Sequence, residues 1–521
     1  MDSLSSKFST VVNSVITGFD RIVFKGIVRP IMYAGGMESY LVARKVKNRD
    51  FKPYAMEQSQ KIVESAEAVA QKQSGKGIIY IPSLNERKEE LAHKRQEETG
   101  VKEGLIGVWS CVESCRTFRS TFDPKKTYPS LRSDRSKCKH LYFYYDDPVY
   151  GFMSVRLQTW APYEIQIALN GREWLRRSLD AAGCGYVVNG NKFLHIDDYT
   201  LAQALLDAQV KTDFNAVLNG FLPAVFPCMP EVLNKGLFYY WTYWQSEVAR
   251  DYIFNSDDAL STLMDDLQLH ALVTGKGDRI LNYFGSPVRA NGQPHHLTNP
   301  EITSRFNTWY NGARVRHWKD RNSVKFYNEH NVLRFEMTMN DPTKFKIYRH
   351  SEIQRIYEPK KYLPMRKGIS DSAARVKVST EIIDRFTEHM SAVEEKVRLR
   401  ELLNSVGSPL MHNGKQTRAL DVFGKDRELL CAISDPAFNV HELTNKELQK
   451  KLKDTSWAQD ISDKQLSGRI TRHLRLLREH GLIEKLPNQR KYRLTDKGYK
   501  ITAVLDAALS ASINELLKSA A

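Results

Sequence analysis

Apolar residues recur with a helical period in some parts of this chain and at alternate positions in others, and the two periods divide it into helices and strands. The clearest helix is Ser462–Glu479, where Leu466, Ile470, Leu474 and Leu477 form one apolar stripe. Lys464, Gly468, Thr471, Arg472 and Arg475 fall roughly opposite, a small-and-basic face suited to a groove. Gly481 follows as the helix stop, and Leu482–Glu484 begins an extended segment. Gln489–Leu494 alternates as a basic strand, and Thr495 is placed to cap a last helix. Upstream, Lys425–Ile433 and Thr444–Lys453 predict two more short amphipathic helices.

Toward the front of the chain the two periods alternate. Phe19–Val28, Gly77–Ile81 and Gly104–Val112 predict strands, and Met56–Gln73 and Leu84–Glu98 predict helices. That order argues for a layered sheet with helices packed on it. Ala161–Gln268 reads mainly as helices, including Tyr163–Ala182 and Tyr199–Val210, and Ser370–Leu403 as one long polar helix. Two hairpins echo each other: Leu141–Tyr145 returning through Phe152–Trp160, and Ser323–Tyr327 returning through Val332–Met339. Each return strand carries Arg followed two positions later by Gln or Glu, namely Arg156 and Gln158, then Arg334 and Glu336. Alternation puts each such pair on one face of its strand. The expected fold is a multidomain α+β protein: a mixed α/β body with duplicated β-hairpins, a helical middle and a C-terminal winged helix-turn-helix. Its segments are an α/β domain over 1–160, a helical region over 161–275 and the second hairpin with a basic segment over 276–369. A long helix over 370–404, a linker over 405–416 and the winged helix over 417–521 complete it.

At 521 residues the chain is too long for one core and suggests roughly two to four domains. A formal net charge of +16 favours a polyanionic partner, most simply nucleic acid. The chain has no apolar stretch of membrane-spanning length, so no membrane partner is expected. Its first residues lack a basic segment followed by an unbroken apolar one, so no signal peptide is expected either. Six cysteines in so long a chain do not make a disulfide framework, and the cytoplasm is the expected compartment.

The order helix, helix, helix, hairpin, helix, with Leu477–Lys485 and Tyr492–Gly498 as its specific parts, resembles the MarR-like winged-helix family over the final fifth of the chain. The resemblance implies a supporting helix at Thr444–Lys453 and a recognition helix at Asp463–Glu479, with Arg490, Lys491 and Arg493 on or beside the wing. Lys464, Gly468, Thr471, Arg472 and Arg475 would then meet duplex DNA.

The second hairpin, with Lys325, Phe326 and Tyr327 followed by Leu333, Arg334, Phe335 and Glu336, resembles a short segment of rolling-circle replication initiators of plasmids and phages. Those families cut DNA with a tyrosine and in many cases a metal held by a His-hydrophobe-His motif. This chain lacks that motif: Gln293–Leu297 carries adjacent histidines instead. Tyr327 and Tyr144 are the candidate nucleophiles, with Glu336 as a candidate catalytic carboxylate. A metal-dependent nuclease would need several converging carboxylates. Asp20 and Glu336 lie at or in strands, and Glu247 and Asp251 fall four apart on an expected helix face. Each alone is more simply a solvated or ion-paired residue, and a divalent metal is expected only if the protein is an enzyme.

Cys111, Cys115, Cys138 and His140 give an irregular spacing that reads as buried thiols rather than zinc. Two basic stretches interleaved with aromatics border the hairpins. One contains Arg116, Arg119, Lys125 and Lys126 with Phe118, Phe122 and Tyr128, and the other Arg314, Arg316, Lys319 and Arg321 with Trp318. Cations neutralise phosphates and exposed aromatics stack on unpaired bases, so both stretches are expected to engage nucleic acid. The sequence thus points to a nucleic-acid-binding protein of a mobile-element or replication-initiation type. A transcriptional regulator, a metal-dependent nuclease and an RNA-binding component of a ribonucleoprotein are the alternatives.

Overall fold

Runs of β-branched and aromatic residues form the long strands of the computed structural model. It describes residues 3–82, 86–122, 128–233, 236–286, 301–309, 312–351, 359–392, 399–412, 415–435, 438, 443–486 and 489–510. The strands used below are β1 (Val12–Ile27), β2 (Ile79–Tyr80), β3 (Gly104–Thr121), β4 (Ser130–Asp147), β5 (Gly151–Gln158), β6 (Ile165–Asn170), β7 (Tyr186–Asn189), β8 (Lys192–Ile196), β9 (Tyr240–Phe254), β10 (Ile302–Trp309), β11 (Gly312–Lys319), β12 (Asn322–Glu329) and β13 (Val332–Met339). The class is α+β. The chain forms two compact bodies, one from Ile16–Asp251 and Glu336–Thr380, the other from Met1–Val15, Tyr252–Phe335 and Glu381–Ala521.

In the first body the sheet order is β9-β1-β6-β5-β4-β3-β2. Directly opposed residues share a face, so the register assigns the two sides. Leu141 opposes Leu157, which opposes Ile165, and Phe143 opposes Val155, which opposes Ile167. All six are buried and make one continuous apolar side. Across β1, Phe24 meets Phe214 of the helix Phe214–Val225, ring centroids 4.9 Å apart. The other side carries Tyr142, Tyr144, Ser154, Arg156, Gln166 and Ala168. There the helix Lys88–Thr99 covers the β3–β4 end, where Ala92 packs with Trp109, Cys111 and Tyr144.

In the second body β10, β11, β12 and β13 are neighbours in that order. Its C-terminal part runs through helices Arg427–Ile433, Asn445–Leu452 and Asp463–Glu479, the hairpin Ile483–Lys485 with Tyr492–Leu494, and the helix Asp496–Ser510. Leu466, Ile470, Leu474 and Leu477 enter one core with Leu430, Leu448 and Leu505, as the stripe predicts. Ser462 and Gln465 close a capping box that fixes the start of the long helix.

Several elements depart from expectation. The stretch read as mainly helical contains β6, β7, β8 and β9. Tyr163–Ala182 is a strand followed by a helix that begins at Gly171, capped by the Asn170 side chain. The expected long helix is Ser372–Ser391 and then Leu399–Gly407, and the expected linker holds the end of that helix and a small hairpin, Leu410–His412 with Lys415–Thr417. The basic stretch from Arg116 extends β3 and β4 into a ribbon, because its polar residues oppose one another across the strands. Cys115 and Cys138 form a disulfide across that ribbon, against the expectation of unpaired cysteines. Lys125 and Lys126, the adjacent histidines at 295–296 and the turn at 487–488 lie outside the described residues. Among the described residues, no helix is long and apolar enough to cross a membrane.

Candidate functional site: a cluster of three carboxylates

Asp20 on β1, Glu247 on β9 and Glu336 on β13 come together in the first body, with carboxylate oxygens all within 4.8 Å of one another. Local sequence explains how each arrives. On β9, Trp241 and Tyr243 are buried while Tyr240, Thr242 and Trp244 are at least partly exposed. The alternation changes phase after Trp244, so that Gln245 and Glu247 reach the open side and Ser246 and Val248 turn inward. Asp20 sits where β1 passes Asn170, the last residue of β6, which opposes Arg21. Glu336 begins the part of β13 that belongs to this body.

The surroundings are polar and held in place. The Asn191 amide donates to Asp20, and Gln245 Nε2 donates to Glu247 Oε1 at 2.8 Å. Thr338 Oγ1 donates to Glu336 Oε1 at 3.4 Å. Arg172, fully buried, bridges behind the cluster: Nη2 lies 3.1 Å from Asp251 Oδ2 and donates to the Ala249 carbonyl at 2.9 Å. Its Nε stands 4.0 Å from Asp20 Oδ1. Asp251 is therefore an ion-paired strand residue on β9 rather than part of a helix face. Asp20 and Glu247 open onto a cavity of about 240 Å³, whose wall includes Arg21, His93, Phe152, Ser154 and Asn191. The His93 ring stacks on Phe152, centroids 3.8 Å apart.

Such an arrangement suits a hard divalent cation. Three oxygen ligands from rigid strands leave further coordination positions for water or a phosphate oxygen, as Mg²⁺ or Mn²⁺ prefers. Asp20 is 7 % and Glu336 1 % exposed, so water screens their mutual repulsion poorly. A cation at the centre would relieve it. Sequence reasoning named all three residues without being able to bring them together. It missed Arg172, Asn191 and His93, whose relevance depends on tertiary placement alone.

The remaining predicted residues fall elsewhere. Tyr144 is buried against Trp109 and Phe152, and burial pushes its phenol well above the ordinary value, which disfavours a nucleophile. Tyr327 is 7 % exposed on β12, with Lys325 Nζ 5.3 Å from its ring centroid. Lys464, Thr471, Arg472 and Arg475 are exposed on the Asp463–Glu479 helix. Gly468 has open space at its Cβ position apart from the Arg472 guanidinium. Arg475 pairs with Glu479 at 2.7 Å and Arg493 pairs with Glu484. Arg490 is exposed and Lys491 half-buried. Arg116 and Arg119 are exposed on the β3–β4 ribbon, where they directly oppose Arg135 and Arg132. Arg321 is exposed, and Arg314 and Arg316 are half-buried on β11. Lys319 points to the buried side and meets Asp320 at 3.3 Å, so it does not share the face of Arg314 and Arg316.

The four residues weighed as zinc ligands are distributed among other partners. Cys115 bonds to Cys138, the Cys111 thiol donates to Glu113 at 3.1 Å, and His140 Nδ1 lies 3.2 Å from the Cys138 carbonyl. Burial would raise the neighbouring Glu113 carboxyl, but hydrogen bonds from Tyr142 and Arg156 outweigh it and hold the group down at about 2. Comparison of the chain with family models, curated proteins and solved structures returns no match, so its own side chains are the ground for a function.

Proposed function

We propose that this chain is a nucleic-acid-processing protein of a mobile-element or replication-initiation kind, in which Asp20, Glu247 and Glu336 hold a divalent cation that acts on a phosphodiester. The observation that carries the proposal is the convergence of three carboxylates, two of them buried, in a chain whose net charge is +16. A polyanionic substrate is drawn to such a protein, and a cation at the cluster would polarise a phosphate oxygen and lower the pKa of a bound water. The C-terminal part serves as the anchor on duplex DNA. Its helix order resembles the MarR-like winged helix, and the exposed Lys464, Thr471, Arg472 and Arg475 oppose the buried stripe.

The test is incubation of the full chain with labelled duplex DNA, single-stranded DNA and structured RNA, with Mg²⁺, Mn²⁺ or chelator. The proposal expects metal-dependent cleavage that Glu336→Gln and Asp20→Asn abolish while binding persists. Binding with no cleavage of any substrate would reduce the protein to a DNA-binding regulator. Cleavage that survives both substitutions would move the chemistry away from this cluster.

A further inference from the structure

The three-stranded face of β10, β11 and β12 arranges its side chains in rows that only the register reveals. Arg305 opposes Arg316, and Arg316 opposes Lys325, so three cations stand side by side across three strands. The flanking rows are Asn307, Arg314 and Tyr327 on one side, and Thr303, Trp318 and Ser323 on the other. None of these nine positions is acidic. The Arg316 and Arg305 guanidiniums lie 4.7 and 5.4 Å from the Trp318 ring centroid. Arg316 is held by the Ser323 hydroxyl, which accepts from Nη2 at 2.9 Å. The alternate residues Val315 and His317 are fully buried, which commits the opposite side to the core.

Like charges directly opposed across a ladder destabilise a sheet. A row of three cations side by side matches a phosphate backbone laid across the strands. The Trp318 ring and the guanidinium planes beside it suit unpaired bases, which a closed duplex does not present. We propose that this face binds single-stranded nucleic acid, with Arg305, Arg316 and Lys325 on the phosphates and Trp318 beneath a base. The inference names the substrate class for the metal reading above and rests on it for its place in a reaction, but its test does not need the metal.

The full chain, in chelator, is titrated against fluorescent oligo(dT), oligo(rU) and a hairpin duplex by anisotropy across a salt series. Single strands should bind, and tighter binding of oligo(dT) or of oligo(rU) would assign DNA or RNA as the source. The double variant Arg305→Glu, Arg316→Glu should weaken single-strand binding by at least about tenfold, and Trp318→Ala by about tenfold. Duplex affinity should stay within about twofold. Arg305→Gln, a mild change at an exposed position, should reduce the salt dependence by about 0.7 in the log–log slope. Single-strand affinity unchanged in the double variant, or absent in the parent, would overturn the inference. Single-strand binding by the parent is read in chelator, and cleavage is assayed separately with Mn²⁺. A failed metal reading would thus appear as absent cleavage with this binding intact.

Discussion

Replacing Glu336 by Gln should abolish the response of this protein to divalent cations. Unit charges no more than 4.8 Å apart repel by at least about 3.5 kcal/mol at an effective dielectric of about 20. Three ionised carboxylates make three such pairs, and the substitution removes two of them. The mutual repulsion that a cation would offset therefore falls by about two thirds. For the parent chain, a cation at about one hundred times its dissociation constant stabilises the folded state by about 2.7 kcal/mol. For a body of this size that corresponds to roughly 5 °C in the melting midpoint. Thermal melts with and without millimolar Mn²⁺ or Mg²⁺ should show this shift in the parent and a shift under about 1 °C in Glu336→Gln. A variant that keeps the full cation-dependent shift would refute the reasoning, as would a parent that shows none.

Acid should weaken the second body through its buried histidines. Burial holds the imidazoles of His270 and His317 down at about 4 and lowers that of His389 well below its ordinary value. A folded pKa below the unfolded one means stability that is fully present above about 6.5 and is lost as the pH falls toward 4, up to about 3 kcal/mol for His317. Urea titrations across that range should show the loss, with a shallower dependence in His317→Gln. Changing Arg472 and Arg475 to Ala should weaken duplex binding by about tenfold or more while leaving oligo(dT) affinity unchanged. The disulfide between Cys115 and Cys138, which are 23 residues apart in sequence, should contribute about 3 kcal/mol by constraining the unfolded chain. Melts of Cys138→Ser measure that contribution, and alkylation of the denatured, unreduced parent should label Cys111, Cys184, Cys228 and Cys431 alone.

Helices whose apolar period meets one core were legible from sequence, and Leu466, Ile470, Leu474 and Leu477 fall where the stripe places them. β9 was not legible, because a spacing of four puts Glu247 and Asp251 on one side of a helix and, being even, on one side of a strand as well. The β3–β4 ribbon was visible only as a basic stretch interleaved with aromatics, because its many polar residues hide the alternation that marks a half-buried strand. Within the site, each carboxylate was visible as a residue type, but nothing local to Asp20 tells where Glu336 will lie. Arg305 joined the basic row only through its pairing with Arg316, since register is a tertiary fact written in no single segment.

The chain passes from one body to the other after Val15, Asp251, Phe335 and Thr380. No single cut can therefore release either body whole, and a fragment that ends before the C-terminal helices leaves its second body unfinished. During synthesis, Asp20 and Glu247 emerge long before Glu336, so a nascent chain has no complete carboxylate cluster until most of its length is made. Shuffling of gene segments faces the same constraint. The carboxylate cluster and the basic β10–β12 face are inherited together, because each body is assembled from stretches that flank the other.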